Sequence, residues 1–372
     1  MIRYIVAAAL TLHGLIHAFG LIKAFQLAQL PITSVAFAWF SPVWTKPLGL
    51  LWLLAGAGFV ASATLLLRHR LSWWIPGSVA LVLSQLLIVL AWRDAHAGSW
   101  VNLLLLLPLA SGAAHAAFER ETRRGVTALG ANLPAGAGAP VRSEELERLP
   151  PPVRRWLTTA GVIGRSRPRS VWLQQSARMR TTPDGAWMPC AAEQRFRIDR
   201  PGFIWSVRTS MLGGVVPIDG RDSYLGGHGH MLIKPLSFLK IVDAADSHID
   251  QGTLLRFLGE LVWFPSAALE PYIHWSELDG QSARATMTYE GTTASATFQF
   301  ADDGRVTQVS AERYMSSESG AQLKPWTIPF REWKSLDGIV IPVEGEVIWQ
   351  LESGRFPYYD FTVEALHYDP SA

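Results

Sequence analysis

His13 and His17 stand four residues apart in a run, Ile5 to Ile22, whose remaining side chains suit lipid. An i, i+4 pair shares one face of a helix, and two imidazoles so placed can exchange protons, hydrogen-bond a small molecule or supply two zinc ligands. Ionisable groups inside an apolar span are costly enough to mark function. At a rise of 1.5 Å per residue they lie about 15 and 20 Å from the inner end of the span, roughly the depth of Ser84 and Gln85 on an antiparallel third span. Asp94, His96 and Asn102 flank the outer turn between a third and a fourth span. His13, His17, Ser84, Gln85, Asp94 and Asn102 are therefore expected to form a polar site inside the membrane. The same residue types also serve as interhelical hydrogen-bond partners with no chemistry attached. A zinc centre would need the Glu of HExxH or a third ligand. A bis-histidine haem would need a histidine on another helix at matching depth, whereas His115 lies near the inner end. No metal and no cofactor is expected.

The remainder of the chain offers weaker chemistry. His228 and His230 would face the same way on a strand, again without a third ligand. Glu193 and Glu260 sit in apolar or aromatic neighbourhoods that raise a carboxyl pKa, but Arg178, Arg195, Arg197 and Arg256 are ready ion-pair partners. No nucleophile elbow, phosphate-cradling loop or Ser/His/Asp set is present, so no catalytic residue is assigned. Aromatic residues are more informative. Together with Glu260, Trp205, Trp263, Phe264, Tyr272 and Trp275 are expected to line an apolar ligand pocket carrying a few polar groups.

These residues must be positioned by two different kinds of structure. Apolar runs at 4–22, 48–67, 73–92 and 100–118 each approach the length of a membrane span. Trp44, Trp73, Trp74, Trp92 and Trp100 fall at their ends. Arg3, Arg68, Arg70, Arg120, Arg123 and Arg124 collect on one side and Lys23, Lys46 and Arg93 on the other, which places both the first residues and everything after 120 in the cytoplasm. Phe25 to Pro47 is too short and too broken by proline to span, and is expected along the outer interface.

Gly125 to Val141 has a linker's composition. After Ser143 as a helix cap and a short helix over 153–159 closed by Gly161, nine strand-like segments follow, at 171–181, 193–199, 203–211, 229–233, 283–290, 294–300, 306–314, 339–351 and 359–368. They are interrupted by one helix, Gln251 to Trp263, with Asp250 as its cap. The expected architecture is a four-helix membrane bundle over 1–120, a linker over 121–142 and an α+β domain over 143–372, in which one helix packs on a curved antiparallel sheet or half-barrel. A formal charge of +2 and the lack of a dense basic run argue against nucleic acid, and a single cysteine excludes a disulfide framework.

His13-Gly14-Leu15-Ile16-His17, Trp92-Arg93-Asp94-Ala95, Leu149-Pro150, Asp250-Gln251-Gly252 and Glu260-Leu261-Val262-Trp263-Phe264-Pro265 resemble an uncharacterised bacterial membrane-protein family carrying a domain of unknown function. The resemblance implies no catalytic residues. It also implies a soluble part shaped like the half-barrels of periplasmic lipoprotein carriers, although the charge rule puts this domain on the opposite side of the bacterial cytoplasmic membrane. The expected function is binding of lipid or another apolar ligand beside membrane lipids, without chemistry, and protein partners are unknown. The competing classes are a membrane enzyme or transporter centred on His13 and His17, and a non-catalytic adaptor.

Overall fold

The computed structural model describes residues 2–29, 42–134, 136, 138–317 and 320–370. The chain divides into two compact units, Met1–Arg120 with Leu212–Val215 and Leu236–Phe238, and Glu121–Met211 with Val216–Pro235 and Leu239–Ala372.

The helices begin with α1 (Ile2–Ile16), α2 (Ala18–Ala24), α3 (Thr45–Leu67), α4 (Trp74–Leu90), α5 (Trp92–Ala95) and α6 (Gly98–Leu129). Ile2–Ala24, Thr45–Leu67 and Gly98–Leu129 are long and apolar enough to cross a membrane, while α4 has 17 residues. That is about 25 Å of helix, short of a hydrocarbon core of about 30 Å, so three candidate spans stand where four spans were expected. Most of the expected interfacial stretch, 30–41, lies outside the described residues. Within this unit α1 crosses α3 with backbones nearly touching, since a Cβ on Gly14 would lie 2.7 Å from the Gly56 carbonyl oxygen. Small residues permit such approach between helices that gain little hydrophobic drive from lipid. Leu12, Leu15, Val79 and Leu104 point outward and are exposed, as a lipid-facing surface requires.

The second unit contains α7 (Ser143–Leu146), α8 (Pro151–Ala160) and thirteen strands: β1 (Ser170–Met179), β2 (Met188–Arg197), β3 (Gly202–Met211), β4 (Val216–Leu225), β5 (His228–Pro235), β6 (Val242–Ala244), β7 (Ile273–Asp279), β8 (Ser282–Tyr289), β9 (Thr292–Phe300), β10 (Val306–Ser317), β11 (Gly320–Leu336), β12 (Ile339–Leu351) and β13 (Gly354–Tyr368). They form one antiparallel sheet in the order 6-5-4-3-2-1-13-12-11-10-9-8-7. Consecutive strands are neighbours except at the centre, where β1 pairs β13, and between β6 and β7, the two edges. Helix α9 (Ser247–Gly259) fills that one long connection.

Helix α9 contacts β4 and β5 near one edge and β8, β9 and β10 near the other, so the sheet curls around it. The rings of Tyr224 on β4 and Tyr289 on β8 come within 6.3 Å across the gap. Close docking depends on Gly229, where a Cβ would lie 2.4 Å from Thr253 Oγ1 and 2.7 Å from the Ile249 carbonyl oxygen. Ala283, Ala285, Ala294 and Ala296 are buried on the strands beneath, and Leu254, Phe257, Leu258 and Leu261 are buried on the helix side. Helix α8 adds Trp156, whose ring lies about 6 Å from those of Trp275, Phe298 and Phe300.

Several local expectations shift. The cap of α9 is Asp246, which accepts from the His248 and Ile249 backbone N–H groups at 2.8 and 3.0 Å. Asp250 lies in the first turn and accepts instead from the Gly229 N–H at 2.6 Å, so it ties the helix to β5. Helix α9 ends at Gly259, and Glu260–Trp263 follow as a 3-10 turn. Arg142, not Ser143, occupies the cap position of α7. Residues 121–129, expected as linker, are helical. Glu121 bonds Arg221 at 2.8 Å, and the carbonyls of Leu129, Ala131 and Asn132 accept from the Arg197 guanidinium. Arg221 lies in the middle of β4, where the residues from Ile218 to Tyr224 are all buried.

Candidate ligand site

The concave face of the sheet carries a polar row across its strands. Gln194 on β2 pairs Trp205 on β3, Trp205 pairs Asp222 on β4, and Asp222 pairs Met231 on β5. Because side chains alternate on a strand, register alone puts these four on one face. Arg256, one helical turn before Glu260, reaches this row from α9. Its guanidinium lies 2.7 Å from Asp222, 2.9 Å from Glu260 and 3.4 Å from the Gln194 amide oxygen. The Gln194 amide donates back to Glu260 at 2.8 Å, and the Arg256 guanidinium sits 4.7 Å from the Trp205 ring centroid. Burial pushes the Glu260 carboxyl above the usual carboxylate range although Arg256 opposes the shift. Burial also works against the charge on Arg256, but Glu260 and Asp222 more than compensate and its pKa is raised.

Beside this cluster the sheet encloses a cavity of about 410 Å³, within the range of roughly 300–1,000 Å³ common to small-molecule sites. Apolar side chains dominate its lining: Met179, Met188, Met231 and Met315, with Trp205, Trp263, Trp326, Trp349, Phe330 and Phe361. Four buried polar atoms of lining residues have no hydrogen-bond partner among the described residues, Gln175 Nε2, Trp205 Nε1, Asp222 Oδ1 and Arg313 Nε. Gln175 is held by its other end, where its oxygen accepts from the Tyr359 hydroxyl at 3.0 Å.

Of the six residues expected here, Trp205, Glu260 and Trp263 line the cavity, and Phe264, Tyr272 and Trp275 do not. Phe264 packs against Phe196 and Phe257 in the core. Tyr272 donates its hydroxyl to the Ile198 carbonyl at 2.8 Å, and Trp275 its indole N–H to the Ala268 carbonyl at 3.0 Å. The first bond ties the segment after α9 to the end of β2, and the second ties β7 to that segment. Asp222 escaped the sequence reading because a strand carrying Asp219, Arg221 and Asp222 lacks apolar alternation, and Gln194 because a lone glutamine on a strand announces no chemistry. Glu193 points to the other face, where it accepts from the Trp172 indole at 2.7 Å. His228 and His230 face different carboxylates, Asp250 and Asp243. No group of three or more His, Cys, Asp or Glu side chains suited to a metal occurs among the described residues.

The first unit does bring its expected residues together. His17 donates from Nδ1 to the His13 carbonyl at 2.7 Å, which leaves Nε2 to accept from Ser84 at 2.8 Å. His13 Nε2 meets Asn102 Oδ1 at 2.9 Å, Asn102 donates to Ser84 and Gln85, and Gln85 donates to Ser99. Both histidines are nearly wholly buried. Asp94 lines a cavity of about 300 Å³ beside the histidines.

The model of a family described as "Family of unknown function (DUF6544)" matches residues 139–361. No curated protein matches the chain. Among solved structures, a DUF1329 family protein from Desulfovibrio piger is 10% identical, with 63% of this chain and 95% of that one covered at a TM-score of 0.34. A putative outer membrane lipoprotein-sorting protein domain from Vibrio parahaemolyticus is also 10% identical, with 55% and 86% covered at a TM-score of 0.32.

Proposed function

We propose, for a chain that belongs to the DUF6544 family of unknown function, that it is a membrane-anchored carrier or sensor holding an apolar ligand inside its β unit. The observation that carries this reading is the cavity of about 410 Å³ lined by methionine and aromatic side chains on the concave face. Methionine adapts to irregular apolar shapes without a fixed rotamer, and a wall rich in it suits a ligand with flexible chains. The three apolar helices support a membrane location. In the same reading α4 is a fourth, short span, and the domain from 143 onward lies on the cytoplasmic side, where the basic residues gather. Membrane lipids are then the nearest source of ligand.

The intramembrane network supports a structural role. Each histidine has a partner and the chain of hydrogen bonds links α1, α4 and α6, which is how polar residues hold helices together in lipid.

Native mass spectrometry of the full chain, released from mild detergent, tests the ligand reading. A stoichiometric apolar adduct is expected, and it should vanish in Val207→Trp, which fills the cavity. An adduct unchanged by that substitution, or no adduct from a folded chain, refutes it.

A further inference from the structure

We infer that the ligand of this cavity carries one anionic head, a carboxylate or a phosphate; this deepens the proposed function and rests on it. The lining charges do not cancel. With Arg221 bound to Glu121, the lining presents Arg180, Arg256 and Arg313 against Asp222 and Glu260, a formal excess of one positive charge. Both carboxylates are engaged by Arg256. Arg180 and Arg313 pair with no carboxylate among the described residues.

These two arginines are built into the wall. Arg180 donates from Nε to the Pro357 carbonyl at 2.7 Å and lies over the rings of Trp187 and Phe356. Arg313 lies over Trp326 at 5.2 Å and donates to the Tyr358 hydroxyl at 3.3 Å, while its buried Nε has no partner. Phe356 and Tyr358 are two apart on β13 and share its cavity face, so they connect the two cations. The Tyr358 oxygen accepts from Arg313 and from the Trp326 indole at 3.2 Å. Its own proton is therefore left to donate. Two guanidinium groups and a hydroxyl donor beside an apolar chamber match a carboxylate or phosphate with an acyl tail, because charge-assisted hydrogen bonds from arginine favour those oxygens. A neutral lipid would leave the excess charge unanswered.

Photolabelling of the full chain in lipid nanodiscs tests this, with three diazirine-bearing probes: a C16 fatty acid, its methyl ester and a monoacyl glycerophosphate. Labelling of the cavity strands by either anion is expected to exceed that by the ester about ten-fold. Arg180→Gln with Arg313→Gln should erase the difference and leave ester labelling intact. The more efficient anion identifies the head. Equal labelling by acid, phosphate and ester overturns the anionic head while the apolar ligand stands. Absence of cavity labelling by all three probes overturns the proposed function itself. If the Gln pair labels with nothing, the Arg180→Lys, Arg313→Lys pair decides. Retained preference for the anions supports the inference, and lost preference overturns it.

Discussion

Replacing Arg256 by methionine keeps much of the side chain's apolar volume and removes its charge. Asp222 and Glu260, 3% and 7% exposed, then face each other without a cation. Removing one partner of a buried ion pair costs about 3–5 kcal/mol. Loss of the guanidinium from the faces of Trp205 and Phe203, 4.7 and 5.1 Å away, adds about 1 kcal/mol. At about 2–4 °C per kcal/mol for a unit of 150–250 residues, the melting temperature at pH 8 should fall by about 8–24 °C. The loss should depend on pH with a definite sign. Without Arg256 the folded-state pKa of Glu260 rises further above its unfolded value, so the penalty is absent below the unfolded pKa and grows as pH rises through the folded one. The variant should therefore lie closer to the parent at pH 5 than at pH 8. The assay is tryptophan fluorescence during thermal unfolding of the detergent-solubilised full chain at both pH values. Adding Asp222→Leu, Glu260→Leu and Gln194→Leu, which removes every polar member, should recover most of the loss. A shift below about 2 °C, or a larger deficit at pH 5 than at pH 8, would refute the account of the cluster.

Gly229→Ala should destabilise the β unit by about 1–3 kcal/mol, the usual cost of overpacking, because the new methyl meets the backbone of α9; a melting temperature equal to the parent's would show that the helix docks less tightly. Asp246→Ala should cost about 1 kcal/mol through loss of the α9 cap, with Asp246→Asn recovering most of it. Burial pushes the Cys190 thiol up to about 12, so alkylation by iodoacetamide at pH 8 should be at least about 100-fold slower in the folded chain than in urea; comparable rates would mean that the strand opens. In the membrane unit, His17→Leu should lower stability by about 0.6–1.7 kcal/mol, the range for such bonds in lipid. A double-mutant cycle with Ser84→Ala should show that the two residues are coupled.

Much of this structure was legible because two physical signals are strong in the chain. Runs of uncharged residues marked the helices of the first unit, depth arithmetic brought His13, His17, Ser84 and Gln85 together, and the position of Asn102 beside the outer turn added it to them. The curved sheet followed from strand-like segments with short turns, and the helix upon it from the leucines at 254, 255, 258 and 261. What escaped has local causes. β4 was missed because its middle reads Asp-Gly-Arg-Asp, polar residues whose partners come from β3, α6 and α9. β11 was missed because Pro325 and Pro329 break its alternation, although the strand passes through both. The site was half visible for the same reason. Aromatic residues suggest a pocket without saying which of them end in the core, and Tyr272 and Trp275 were lost to it through hydrogen bonds to backbone carbonyls that no pattern reveals. Arg313 gave no sign, since its importance lies in lacking the carboxylate that most half-buried arginines have.

The pairing of β1 with β13 also sets an order of events during synthesis. Every other neighbouring pair in the sheet joins strands consecutive in the chain, and such hairpins can form as they emerge. The central seam joins residues as much as 200 positions apart, where the Arg169 N–H donates to Asp369. Until β13 emerges, the meander of β2 to β6 ends in β1 with one side unpaired, and that of β7 to β11 ends likewise in β12. Each offers a row of free backbone groups to any passing strand. Ring closure of this kind makes folding slow, and the interval of greatest danger from aggregation falls just before the last strand arrives. A nascent chain already held in a membrane by its first helices would wait through that interval at low local concentration of its own kind.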